Sequence, residues 1–150
     1  MRYINRLGIQ LISSFEGRSN TAYQDQRGIW TIGVGHTRGV VPGQTMTDAE
    51  VDQALQDDLA AAELVVNDAC VTHVTNDNQY AALVSLCFNI GSGNFRSSSV
   101  LRCHLAGDGS GAAKHFLDWN KTHINGVLTV VPGLTRRRQA EADLYLREVA

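Results

Sequence analysis

The stretch that decides the fold runs Phe15-Glu16-Gly17-Arg18-Ser19-Asn20-Thr21-Ala22-Tyr23-Gln24-Asp25-Gln26-Arg27-Gly28-Ile29-Trp30-Thr31-Ile32-Gly33-Val34-Gly35-His36. Eight residues separate Glu16 from Asp25, and five separate Asp25 from Thr31. Two carboxyls and a hydroxyl are the groups needed to hydrolyse a glycosidic bond with an activated water. One carboxyl protonates the leaving oxygen and the other directs water at the sugar carbon. Each residue alone has an ordinary reading: a solvated Glu at a helix end, an Asp in a turn before Gly28, a strand Thr. The joint spacing carries the chemistry.

Upstream, Ile4, Leu7, Gly8, Leu11, Ile12 and Phe15 recur at helical spacing, which predicts an amphipathic helix over the first fifteen residues. Gly17 stops it, placing Glu16 at or just past its C-terminal end. The negative end of a helix disfavours an ionised carboxyl, a setting that suits a proton donor. Residues 20–45 are rich in Gly and Thr and read as a small twisted sheet with tight turns ending near Pro42-Gly43. Asp25 and Thr31 fall in that sheet or its turns. Thr47-Asp48-Ala49-Glu50 is a capping box. It opens a long helix with Val51, Leu55, Leu59, Ala62 and Val66 on one face. Asn76 to Gln79 opens another, with Tyr80, Leu83, Val84, Cys87 and Phe88 as its buried stripe and Gly91 and Gly93 as breaks. Shorter helices are expected over 98–105, 111–119 and 134–147.

The Glu16-x8-Asp25-x5-Thr31 spacing and the run Asp25-x-x-Gly28-x-Trp30-Thr31-Ile32-Gly33-Val34-Gly35-His36 resemble the phage T4-type lysozymes, the endolysins of glycoside hydrolase family 24. Asn78–Gly91, Phe95–Leu101 and Gly133–Tyr145 look like later blocks of that family, in the same order. The resemblance implies an α+β, mainly helical lysozyme-like fold. A small N-terminal β-sheet lobe (about 13–60) is joined by a long helix to a helical C-terminal lobe (about 61–150), with the N-terminal helix packed on the latter, all within one domain of 150 residues. It implies a muramidase that hydrolyses the β-1,4 bond between N-acetylmuramic acid and N-acetylglucosamine of peptidoglycan, inverting the sugar carbon, with Glu16 as acid and with Asp25 and Thr31 holding the water. It also implies substrate-binding roles for Gly35, His36, Thr37, Phe88, Asn89 and Ser98, and a His36–Asp58 ion pair joining sheet to helix. Phe88 reads equally as core, and Ser98 also reads as a helix cap. In relatives Glu-Gly-x-Arg-Leu follows the catalytic Glu. Here Glu16-Gly17-Arg18-Ser19-Asn20 puts the Arg one place early and lacks the Leu, leaving a local charge and packing contact unassigned.

The apolar fraction of 43% is that of a soluble globular protein. No apolar run is long enough to span a membrane, and Met1 to Arg6 enters an amphipathic pattern instead of a signal peptide. The family's location would then be the host cytoplasm, with a holin-type partner releasing the enzyme to the wall. The net charge of −2 argues against nucleic acid as a partner, and the chain reads as a monomer. No metal or organic cofactor is implied: His36, His73, His104, His115 and His123 form no H-E-x-x-H site. Cys70, Cys87 and Cys103 have no zinc spacing. Cys87 reads as a buried thiol, and Cys70 and Cys103 as the candidates for a redox role. Trp30 and Trp119 read as core before sugar platforms. Arg136, Arg137 and Arg138 read either as contacts for peptide-stem carboxylates or as solvated helix charges paired with Glu141 or Asp143. Val127–Val131 reads as a loop or hairpin near the groove. Three alternatives stay open: a lytic transglycosylase, a non-catalytic glycan-binding protein of the same fold, and a redox-regulated form.

Overall fold

The computed structural model describes residues 2–149. In chain order come α1 (Arg6–Glu16), β1 (Ser19–Gln24), β2 (Trp30–Gly33), α2 (Asp48–Ala69), α3 (Asp77–Ile90), α4 (Ser92–Ser97), α5 (Ser99–Leu105) and α6 (Gly109–His115). A 3-10 turn (Phe116–Trp119), β3 (Lys121–Ile124), β4 (Val127–Val130) and α7 (Pro132–Leu146) complete it. The architecture is α+β, with helices dominant.

α3 is the centre of the packing. Tyr80 to Cys87 are buried on every side, and α1, α2 and α7 lie against it. A helix apolar around its whole circumference belongs in the interior, and each large aliphatic side chain buried there contributes about 2 kcal/mol. Both long helices begin where their capping boxes place them. Thr47 Oγ1 accepts from the Glu50 N–H at 3.2 Å, and Glu50 Oε1 accepts from the Thr47 N–H at 3.0 Å. Asn76 and Gln79 repeat the exchange at 2.8 and 3.0 Å. The α2 face Val51, Leu55, Leu59, Ala62 and Val66 is buried as its spacing requires.

The first helix starts later than its apolar periodicity implies. Asn5 caps it by accepting from the Gly8 N–H at 3.0 Å, and the preceding Ile4 N–H donates to buried Glu63 on α2 at 2.6 Å. Gly91 ends α3 as expected, while Gly93 lies inside the helix that follows. Gly91 closes α3 and opens α4, a turn the periodicity of α3 does not reveal. The 111–119 helix divides into α6 and the 3-10 turn.

β1 and β2 pair antiparallel with Tyr23 opposite Thr31 and Gln24 opposite Trp30. Val127–Val130 is the second strand of a hairpin, paired with Lys121–Ile124, so the C-terminal half also carries a small sheet. Asn125 and Gly126 make its turn, with φ of 51° and 79°. That pair of positive φ values is what a two-residue primed turn demands.

Candidate active site

Glu16 is the last residue of α1, ended by Gly17, whose N–H bonds the Ser13 carbonyl. Its side chain is 21% exposed, turned towards the β1–β2 hairpin on one side and α7 on the other. Gly35 lies directly behind the carboxyl. A Cβ on Gly35 would stand 2.6 Å from Glu16 Oε2, and the residue has φ of +67°. Both the space and the backbone conformation therefore require glycine there. On the other side the Arg137 guanidinium on α7 grips Glu16 Oε1 through Nη1.

Asp25 occupies the hairpin turn, and its Oδ1 accepts from the backbone N–H groups of Arg27 at 2.8 Å and Ile29 at 2.9 Å. Its ordinary turn role is real, and it commits one oxygen only. The other faces the Arg27 guanidinium at 3.6 Å. Burial pushes the carboxyl up, but the Ile29 and Arg27 N–H groups and the Arg27 charge outweigh it, holding Asp25 below the usual carboxylate range. That keeps it anionic, the form that can orient a water. Thr31 is buried at 4% exposure, and its hydroxyl donates to the Ile29 carbonyl at 3.0 Å. With its proton engaged, the oxygen retains lone pairs to accept from a water.

Tyr23 ties these groups together. Directly opposite Thr31, it shares a sheet face with it. Burial, then the negative charges of Glu16 and Asp25, raise its phenol. Its side chain is thus within electrostatic reach of both carboxyls. Neither Tyr23 nor Arg137 is singled out for catalysis by the sequence.

His36 Nδ1 meets Asp58 Oδ2 at 2.8 Å with side-chain exposures of 16% and 23%, as the sheet-to-helix pairing implies. The His36 backbone also exchanges two 2.9 Å hydrogen bonds with Ile32. Thr37 and Asn89 are exposed, whereas Phe88 is half-buried against the core. Ser98 is 4% exposed, and its hydroxyl caps α5 by accepting from the Leu101 N–H at 3.1 Å while donating to the Phe95 carbonyl at 2.7 Å. Arg18, displaced by one place from the family pattern, bonds Asp52 at 2.8 Å and the Asp48 carbonyl at 3.1 Å, fastening the start of β1 to α2. Trp119 packs on the core. The reading of Arg136–Arg138 as solvated is overturned for two of the three. Arg137 is 4% exposed, and Arg138 and Glu141 are fully buried. Their charges are held inside because each meets an opposite one.

A cavity of about 380 Å³ between Arg2, Val66, Asn67, Cys70, Val71, His73 and Tyr80 lies away from the acids. Among the described residues, no group of three or more His, Cys, Asp or Glu side chains could hold a metal ion.

A family model described as phage lysozyme matches residues 13–141. The endolysin of Acyrthosiphon pisum secondary endosymbiont phage 1 is 39% identical over 143 residues, covering 95% of this chain and 97% of that protein. The muramidase domain of SpmX from Asticaccaulis excentricus superposes with a TM-score of 0.89 at 39% identity, covering 98% of this chain and all of that one. The endolysin from Escherichia coli O157:H7 phage FAHEc1 gives a TM-score of 0.92 at 35% identity over 99% of this chain and 96% of that one. Two Bacillus phage endolysins are longer, and this chain spans 54% of each.

Proposed function

This chain belongs to the phage lysozyme family, and from that premise we propose how its residues cut the bacterial wall. It is a glycoside hydrolase, a muramidase that lyses peptidoglycan. Within the family we place it with the T4-type enzymes of glycoside hydrolase family 24, on the Glu16, Asp25 and Thr31 spacing. The bond is the β-1,4 link from N-acetylmuramic acid to N-acetylglucosamine.

Glu16 is the acid. It delivers its proton to the bridging oxygen as the glycosidic bond lengthens, and the sugar acquires oxocarbenium character. Asp25, anionic in its turn, and the Thr31 oxygen hold a water on the opposite face of the ring. That water adds as the bond breaks, inverting the carbon. Tyr23, opposite Thr31 in the hairpin, feels the charge of both carboxyls. Gly35 and Arg137 fix the rotamer of Glu16, so the donor is aimed before substrate arrives. The observation that carries this reading is the enclosure of Glu16 between the Gly35 backbone and the Arg137 guanidinium.

Gly35, His36, Thr37, Phe88 and Asn89 are proposed to line the saccharide groove, His36 also serving the Asp58 pair. The groove runs between the two lobes (about 13–60 and 61–150). The enzyme acts as a monomer and is released from the host cytoplasm to the wall by a holin-type partner. Fractionation of infected cells with and without the holin tests that last step.

The deciding experiment is digestion of purified peptidoglycan by the wild type, Glu16→Gln and Asp25→Asn. Reducing-end muropeptides from the wild type, with at least a 100-fold loss in both variants, support the reading. Anhydro-muropeptides would move the assignment to a lytic transglycosylase, and no release by the wild type would favour glycan binding without catalysis. An initial product of β configuration at the new reducing end would refute inversion.

A further inference from the structure

Glu141 sits fully buried on α7, one turn beyond Arg137 and Arg138. Its Oε1 lies 2.6 Å from Arg138 Nε. Its Oε2 takes three partners: the Ser85 hydroxyl of α3 at 2.6 Å, Arg138 Nη2 at 3.2 Å and Arg137 Nε at 3.5 Å. Arg137 thus has two carboxyls to serve. Nε turns to Glu141, and Nη1 turns to Glu16. Its remaining nitrogen, Nη2, is buried without a hydrogen-bond partner. A guanidinium is a rigid planar fork. Fixing one edge against Glu141 therefore fixes where the other edge presents its proton to Glu16.

We propose that Glu141, anchored by Ser85, is a positioning residue for the acid Glu16, acting through the shared guanidinium of Arg137. This rests on the assignment of Glu16 as the acid. The charge count points the same way. Two buried guanidiniums face one buried carboxylate, and the carboxylate of Glu16 is what balances the second positive charge. Glu141 sets the size of that imbalance. Besides Glu141, the charged and titratable groups bearing on Glu16 are Arg137 and Arg138 from α7, with Tyr23 from the hairpin.

The test compares wild type, Glu141→Gln and Glu16→Gln on purified peptidoglycan as a function of pH. Folding is verified by circular dichroism and thermal melting. Glu141→Gln is isosteric and keeps a partner for Ser85, but it releases Arg137 and removes the buried negative charge. The expected result is a kcat lower by about 10- to 100-fold with KM within about twofold, the signature of a misaimed donor and not of a damaged groove. The pH profile should also differ from that of the wild type, because the guanidinium charge then bears on Glu16 undivided. A folded Glu141→Gln enzyme with wild-type kcat and pH profile would overturn the proposal. If Glu141→Gln does not fold, Ser85→Ala decides, since it removes one hydrogen bond and no charge. A kcat at least threefold lower at unchanged KM is expected, and wild-type kcat would overturn the idea. Full activity of Glu16→Gln would instead sink the assignment of the acid, so the two failures read differently.

Discussion

Replacing Gly35 by alanine tests the enclosure of Glu16 directly. The added methyl would stand 2.6 Å from Oε2 and 3.0 Å from Cδ of Glu16. To regain ordinary contact at 3.4 Å, the carboxyl must retreat by roughly 0.8 Å. Arg137 blocks much of that retreat, because it is itself held by Glu141. A catalytic group displaced by about 1 Å loses on the order of 100-fold in rate, so Gly35→Ala should lose about 10- to 100-fold. Stability should fall as well, because the left-handed backbone at φ +67° costs an alanine about 1–2 kcal/mol. Gly107→Ala supplies the control. It has φ of +79° with open space around its Cβ position, so it should show the backbone cost and keep its activity. Release of muropeptides and thermal melting would be measured on both. A folded Gly35→Ala enzyme as active as Gly107→Ala would refute the reasoning.

Three further outcomes follow from the same geometry. A double-mutant cycle on His36→Gln and Asp58→Asn at neutral pH should give a coupling of about 1 kcal/mol by denaturant titration, and a value near zero would remove the sheet-to-helix pairing. His104 is buried between Thr75 at 2.8 Å and Tyr145 at 2.6 Å, and burial, then neighbouring His73, lowers it from 6.5 to about 4. The unfolded chain therefore takes up this proton first as pH falls. The stability held by neutral His104 is intact above about 6.5 and is lost towards about 4, by roughly 3 kcal/mol at most; an equally steep acid loss in His104→Gln would contradict this. Among the thiols, Cys103 is the more exposed, whereas burial raises Cys70 and pushes Cys87 up to about 11. A thiol reagent should therefore modify Cys103 first in the native protein, and activity should be equal with and without reductant.

The sequence reveals some of these features because their causes are local. Thr47 with Glu50, and Asn76 with Gln79, are four-residue exchanges that operate before any tertiary contact forms. The Glu16, Asp25 and Thr31 spacing is visible because one helix end and one hairpin hold all three. α7 is different. Arg136-Arg137-Arg138-Gln139 has no apolar stripe, and spacing shows only that Arg137 and Arg138 can reach Glu141. Their burial depends on Glu16 and Ser85, which arrive from distant parts of the chain. Gly91 is legible in part: its break of α3 follows from the residue type, whereas the start of α4 at Ser92 depends on the turn geometry.

The contact between Arg137 and Glu16 spans 121 positions of sequence. A ribosome that has released residues 1–131 has already supplied the whole Glu16, Asp25 and Thr31 signature, together with α1, both hairpins and the central helix α3. It has not yet supplied the guanidinium that aims the acid, nor Glu141 behind it. The nascent chain thus carries the Glu16, Asp25 and Thr31 side chains before the clamp on Glu16 exists, and that clamp can close only once α7 has emerged.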